Sequence, residues 1–115
     1  MLDIFRDAGF MVAAEAFADR RYEADGSLRA RRFPDALITD PAAAARQALD
    51  IAANGSLTAI DGSRVHVQAE TICIHGDTPQ AIAQADMARQ IIDRLGLGVR
   101  SFVDPPVRTP HPLPA

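Results

Sequence analysis

The sequence of 115 residues has no lysine and no tryptophan, and only 5% of its residues are aromatic. All 12 basic residues are therefore arginines, and 15 acidic residues outnumber them, which gives a formal net charge of -3. A protein that binds nucleic acid generally needs positive charge for the phosphates and aromatic rings for base stacking. Nucleic acid is therefore not an expected partner.

Cysteine occurs once, at Cys73, so the chain cannot form an internal disulfide. This residue lies in the apolar string TICI at 71–74, where cysteine more often serves as a small buried hydrophobe than as a catalytic thiol. No apolar run approaches the ~20 residues of a membrane span, and the N-terminus is acidic where a signal peptide is basic. We expect a cytoplasmic protein in a reducing compartment, without a membrane partner.

The first third of the chain contains one helical pattern and one strand pattern. Residues 2–8 place apolar side chains on one helical face, and Gly9 follows where a helix often ends. The run FMVAAEAF at 10–17 is apolar without alternation until Glu15, which is typical of a strand buried on both faces of a parallel sheet. Residues 18–35 are polar and arginine-rich, and predict a long loop or a pair of turns.

The remaining patterns alternate between helix and strand. Asp40 as N-cap, Pro41 at the first position and Gly55 beyond the end predict a helix between them. Asp61-Gly62 predicts a β-hairpin, TICI a second buried strand, and residues from about 78 to 95 a last helix. The order indicates an α/β fold. The apolar face predicted for the last helix carries Ile82, Ala85, Ala88, Ile92 and Leu95.

The C-terminal residues 100–115 differ in kind from the rest. Five of the last fifteen residues are proline, and no periodic apolar pattern is left. Such a composition is typical of a disordered segment, or of one that lies loosely on the surface. We therefore expect a folded domain over residues 1–99 and a Pro-rich tail over 100–115.

Polar side chains follow both unalternated strands. Since the carboxyl ends of parallel strands form the binding edge of α/β folds, these side chains are expected on one rim. Gly76 would allow a ligand close to the backbone or take a positive φ, and a helix start at Thr78-Pro79 would supply N–H donors. The expected rim residues are Glu15, Asp19, Arg20, Tyr22, His75 and Asp77.

Each of these residues also has a purely structural interpretation. Asp77 or Thr78 is a suitable N-cap for the last helix, and Glu15 is a suitable ion-pair partner for a neighbouring arginine. His75 alone could be a structural histidine. Three further arginines in the loop, at 29, 31 and 32, are more often solvated than part of a substrate clamp. The coincidence of two polar clusters at two strand ends favours the functional interpretation.

Several strings in the chain resemble the LamB/YcsF family of 5-oxoprolinase A subunits. They are EAFADRRYEADGSL, RRFPDALITDPAAAARQAL, IDGSRVHVQAETICIHGDTPQAIAQA and LGLGV, in order from about residue 2 to 99. The resemblance is to the C-terminal part of the family. It implies the corresponding part of an irregular β/α barrel of the glycoside hydrolase/deacetylase type, here with a β-hairpin insertion.

The resemblance also implies an activity. Family members act with subunits B and C in the ATP-dependent hydrolysis of the 5-oxoproline lactam to glutamate. No phosphate-binding loop of the Gly-x-x-x-x-Gly-Lys-Ser/Thr type occurs here, so ATP is expected to be handled with the partner subunits. Matching motif positions imply Glu15, His75 and Asp77 as catalytic residues. The implied substrate-binding residues are Asp19, Arg20, Tyr22, Arg31 and Gly76.

This chain departs from the family pattern in two ways. The family has a longer N-terminal half that has no counterpart here, and Asp35 stands where the family usually has glycine. A partial barrel leaves a strand edge and an apolar sheet face uncovered, so self-association is expected and catalysis by the chain alone is not. Two alternatives therefore stay open: a metal-dependent, deacetylase-like hydrolase with Glu15, His75 and Asp77 as ligands, and an inactive chain that serves only as an interaction partner.

Overall fold

The computed structural model describes residues 2–77 and 80–100. The Pro-rich tail beyond residue 100 and the Thr78-Pro79 pair, both subjects of expectations above, lie outside the described residues. Helices and strands occur in the predicted α/β order. In chain order they are α1 (Leu2–Asp7), β1 (Glu15–Phe17), α2 (Pro41–Asn54), β2 (Ser56–Thr58), β3 (Arg64–His66), β4 (Thr71–Cys73) and α3 (Ala81–Arg94).

The strands form two separate pairs. β1 and β4 are parallel, with Phe17 opposite Cys73, so the predicted pairing type is confirmed. β2 and β3 are antiparallel, and the turn between them contains Asp61-Gly62 with Gly62 at φ 89°, which confirms the predicted hairpin. Asp61 fixes this turn because its carboxylate accepts bonds from the Ser63 amide and hydroxyl. The described part of the chain does not close into a barrel.

β1 is shorter than the sequence indicates. The apolar run begins at residue 10, whereas the strand begins only at Glu15, and the side chains of Phe10 and Met11 are each 62% exposed. An apolar run forms a strand where a neighbouring backbone is present to pair with it, and β4 pairs with only three residues here. The prediction of a strand over residues 10–17 is therefore wrong at its N-terminal end.

The two long helices pack against each other. α2 begins at Pro41 after Asp40 and ends at Gly55 in the left-handed region (φ 61°), as predicted. α3 begins at Ala81 with Gln80, not Asp77 or Thr78, in the N-cap position. Its buried residues are Gln84 and Ala88, whereas Ile82 is 88% exposed, so the predicted apolar face is only partly the buried one.

The core lies beneath β1, β4 and α2 in two adjoining clusters. One is built around Leu57 and Tyr22, and the other is an alanine-rich contact between α2 and α3. A groove of about 990 Å³ opens beside the second cluster, between α2, α3 and β4. Among the described residues, no helix is long and apolar enough to cross a membrane.

Candidate functional site

The parallel register of β1 and β4 brings Asp19 and His75 together. Phe17 and Cys73 are register partners, and each of the two site residues lies two positions further along its own chain segment. The Ala18 amide continues the pairing with a 3.0 Å bond to the Cys73 carbonyl. The carboxyl ends of the two strands therefore present an acid and an imidazole side by side, as expected for this edge of a parallel sheet.

Three short donor–acceptor distances join the Asp19 carboxylate to His75. Its Oδ2 accepts the His75 backbone N–H at 2.8 Å, and ring Nδ1 lies 3.0 Å from Oδ1 and 3.1 Å from Oδ2. The Asp19 side chain is 0% exposed, whereas that of His75 is 25% exposed. The carboxylate thus lies below the protein surface, and of the two side chains only the imidazole is exposed to solvent.

The His75 ring is also held on one face. Phe17 stacks on it with ring centroids 5.3 Å apart and an interplanar angle of 10°. The Phe17 amide donates a 3.0 Å hydrogen bond to the hydroxyl oxygen of Tyr22, whose side chain is buried. Desolvation by this burial raises the pKa of Tyr22, against smaller lowering effects of the Phe17 bond and the Arg20 charge. Tyr22 is therefore a buried partner of the Phe17 backbone, and the substrate contact that the resemblance implies for it stays a prediction.

Arg20 follows Asp19 directly and is almost completely buried, with 7% of its surface exposed. Its Nη2 donates to the Arg29 carbonyl at 2.8 Å, while its buried Nε has no hydrogen-bond partner. Among the described residues, no carboxylate forms an ion pair with it. The Gln47 side chain donates to the carbonyls of Phe17 and Arg20 at 2.8 and 2.7 Å, which ties α2 to this part of the chain.

The loop after β1 is organised by Arg29, one of the three loop arginines for which the sequence favours solvation over a substrate clamp. Its guanidinium bonds to Glu23 at 3.0 Å and to Asp35 at 2.6 Å, and it lies 4.2 Å from the centre of the Phe33 ring. The bond to Arg29 lowers the pKa of Asp35. Asp35, the departure from the family's glycine, thus has a partner of its own. Its spacing of six residues from an arginine in a polar loop was the only signal of this pair.

The other predicted site residues differ in their position relative to the Asp19–His75 pair. Glu15 was expected near the end of its strand, but it begins β1 opposite Thr71, is exposed, and precedes Asp19 by four residues along the chain. That expected position is wrong. Gly76 and Asp77 follow His75 and are exposed, and Gly76 does not have a positive φ. Arg31 is exposed in the loop.

The side chains near the Asp19–His75 pair can be compared with the ligands of a metal centre. Within residues 2–77 and 80–100, no group of three or more His, Cys, Asp and Glu side chains is placed to hold a metal ion. The expected ligand set of Glu15, His75 and Asp77 is therefore not assembled. What the site does hold is a carboxylate beside an imidazole, an arrangement that can give or take a proton and can keep the ring in one orientation.

Known proteins are similar to this chain over almost its whole length. The LamB/YcsF family model matches residues 1–106. The chain belongs to the LamB/YcsF family. The A subunit of 5-oxoprolinase from Chloroflexus aggregans is 54% identical over 101 residues, which cover 88% of this chain and 40% of that protein. The corresponding protein from Kocuria rhizophila is 48% identical over 95 residues, which cover 83% and 38%.

A solved structure supports the same relationship. The crystal structure of a lactam utilization protein from Thermus thermophilus superimposes with a TM-score of 0.75 at 42% sequence identity. The superposition covers 83% of this chain and 37% of that one. This LamB/YcsF chain therefore spans about two-fifths of the length of the curated relatives it matches. The resemblance found in the sequence strings is confirmed.

Proposed function

We propose that this chain is part of the A subunit of an ATP-dependent 5-oxoprolinase, which acts with subunits B and C to hydrolyse the lactam of 5-oxoproline to glutamate. The names of the similar proteins, a 5-oxoprolinase component and a lactam utilization protein, support this choice of substrate class. The observation that carries the proposal is the Asp19–His75 pair at the carboxyl edge of β1 and β4. A proton-transferring group at that edge is what opening a lactam with water requires.

In this proposal His75 is the general acid–base group. It would take a proton from the attacking water and return one to the departing lactam nitrogen, because an imidazole exchanges protons near neutral pH. Its partly exposed ring is placed to reach a bound molecule, whereas the buried Asp19 carboxylate is not. Asp77 follows on the same loop and could orient the water. The catalytic role expected for Glu15 stays a prediction, and its position at the start of β1 does not favour it.

Arg20 is the stronger candidate for holding the substrate carboxylate. Its guanidinium forms no ion pair with a described acid, and the small exposed part of the side chain, 7%, would be the part that an anion meets. Arg31 is exposed, where its charge would be screened by solvent. When bound by the assembled complex, ATP would supply activation of the lactam oxygen. This chain's own residues would then bind, orient and transfer protons.

The proposal is tested with His75→Asn in the assembled enzyme that contains this chain. Asparagine keeps an N–H donor for the buried Asp19 carboxylate, so the fold is expected to survive, whereas alanine would leave that carboxylate without its side-chain partner. ATP-dependent formation of glutamate from 5-oxoproline should fall by roughly 100-fold or more, as on loss of a general acid–base group. The melting temperature should change by no more than a few degrees.

His66→Asn is the matched control, since His66 lies on β3 with its ring against the Gly55 carbonyl and is exposed. Turnover in this variant should equal that of the unmodified enzyme. Near-normal turnover in His75→Asn would remove His75 from the reaction. Metal analysis of the assembled enzyme separates the deacetylase-like alternative, which requires a stoichiometric metal ion.

A further inference from the structure

Asp19, expected from the sequence to bind substrate, has a different position and a different set of contacts. Its side chain is completely buried, and both of its oxygens face the ring or the backbone of His75. A group without surface exposure cannot contact a molecule that enters from solvent unless the fold opens. We infer that Asp19 is a positioning residue that fixes the tautomer and the orientation of the His75 ring.

The distances support a proton on Nδ1. Nδ1 lies 3.0 and 3.1 Å from the two carboxylate oxygens, which is the geometry of one N–H shared by both. An ionised carboxylate only accepts hydrogen bonds, so the ring nitrogen that faces it must be the donor. In a neutral imidazole the other nitrogen, Nε2, then carries the lone pair. Nε2 is therefore the atom at which the ring takes up a proton.

Three further contacts restrict the ring and its support. The same carboxylate accepts the His75 backbone amide at 2.8 Å, so the backbone and the side chain of His75 are held by one group. Phe17 covers one face of the ring, and the buried Tyr22 hydroxyl accepts the Phe17 amide. A proton-transferring ring requires a fixed tautomer and orientation, and these contacts supply both.

The geometric part of this inference is independent of the substrate, and only its catalytic consequence rests on the proposed function. Asp19→Asn separates the two. The His75 amide still needs an acceptor, which the carboxamide oxygen supplies, and this turns the carboxamide NH₂ toward Nδ1. The His75 ring should then accept a hydrogen bond at Nδ1 and carry its proton on Nε2. The variant therefore switches the tautomer of His75, while the side chain at position 19 keeps nearly the same shape.

Nitrogen-15 NMR of the full chain measures the tautomer directly. The chain has three histidines, and the His75 and His66 variants assign the signals. Unmodified protein should show the proton of the neutral His75 ring on Nδ1, and Asp19→Asn should show it on Nε2. A proton on Nε2 in the unmodified chain overturns the inference whether or not the variant folds. That outcome says nothing about lactam hydrolysis, which the His75→Asn experiment tests separately.

Steady-state kinetics of the assembled enzyme supply the second measurement. For a positioning residue, Asp19→Asn should lower kcat by roughly 100-fold or more with little change in KM, since no substrate contact is lost. A rise in KM at nearly constant kcat would instead identify a substrate ligand and overturn the inference. Asp25→Asn is the control, because Asp25 accepts bonds from Ser27 in an exposed turn, and it should leave both constants unchanged.

Discussion

Tyr22 provides a direct probe of packing at the level of single residues. It is the only tyrosine in a chain without tryptophan, so its ionisation is visible in the ultraviolet spectrum without overlap. Burial raises its pKa from the ordinary value of 10.0. Titration followed by tyrosinate absorbance should therefore give a midpoint above 10.0 in the folded chain. The same titration in denaturant should return the ordinary value.

The sign of this shift sets a pH dependence of stability. Because the folded-state pKa lies above the unfolded value, the contribution is fully present below pH 10 and is lost as the pH rises through the folded-state pKa. Tyr22→Phe lacks the ionising group, so its free energy of unfolding should fall less steeply over that alkaline range. A folded-state midpoint at or below 10.0 would mean that Tyr22 is not buried in solution.

The site residues show which part of the chemistry is visible in a sequence. The sequence predicts both Asp19 and His75 as site residues, because each follows an apolar strand pattern. Their direct pairing depends on the register of β1 against β4, which pairs Phe17 with Cys73 and is not encoded in either strand alone. Phe17 is not among the residues predicted for the site. Its stacking on His75 appears only when the two strands are placed together.

At the level of secondary structure, the glycine at the end of α2 has a conformational role that can be tested. Gly55 has a φ of 61°, and its amide caps the Ile51 carbonyl. A Cβ at this position would meet only the Val67 carbonyl at 3.7 Å, an ordinary contact, so strain would come from the backbone and not from crowding. Gly55→Ala should lower the free energy of unfolding by about 1 kcal/mol, measured by urea denaturation.

Gly76→Ala is the matched comparison for that measurement. Gly76 has no positive φ, and a Cβ there would meet no atom within 4 Å. The free energy of unfolding of this variant should therefore stay within about 0.5 kcal/mol of that of the unmodified chain. If Gly76 allows a ligand close to the backbone, as its lack of a side chain permits, the variant should lose activity in the assembled enzyme without losing stability. A loss as large as that of Gly55→Ala would contradict this separation.

Helix α2 and the β2–β3 hairpin were predictable because their signals are local. Pro41, Gly55 and Asp61-Gly62 act through their own backbone preferences, and the structure has the helix end and the turn where these residues place them. The start of β1 and the buried face of α3 depend on partners distant in sequence. Residues that fit an apolar helical face, Ala85 and Ile92, line the open groove, whereas buried Gln84 donates to the Ile38 carbonyl.

For the molecule as a whole, the two unpaired outer edges and the groove point to surfaces that the described residues do not cover. Each of β1 and β4 has one strand partner in the described part of the chain. The groove of about 990 Å³ exposes apolar side chains of α2, α3 and β4, among them Ile72 and Ile92. In the relatives, about three-fifths of the length lies outside the matched region, which is ample chain to cover such a face.

The N-terminal segment carries a further group of uncovered apolar side chains. α1 has no buried residue, and Ile4, Phe5, Phe10 and Met11 are between 45% and 71% exposed. Phe5 and Phe10 contact each other edge to face, with ring centroids 6.0 Å apart, so they form one patch. Exposed contiguous apolar surface of this kind is typical of an interface.

We therefore expect the isolated chain to self-associate, with a sedimentation coefficient that rises with protein concentration. Replacing Ile4 and Phe10 together by aspartate should shift the distribution toward monomer, because charge on the patch opposes its burial against another apolar surface. The circular dichroism spectrum should stay unchanged, since neither side chain is part of the core. Ile82→Asp is the matched control: Ile82 is 88% exposed at the start of α3 and should leave the distribution as it was. A monodisperse monomer with a sharp cooperative melt in the unmodified chain would show that the two-stranded parallel sheet and its flanking helices are stable without a cover.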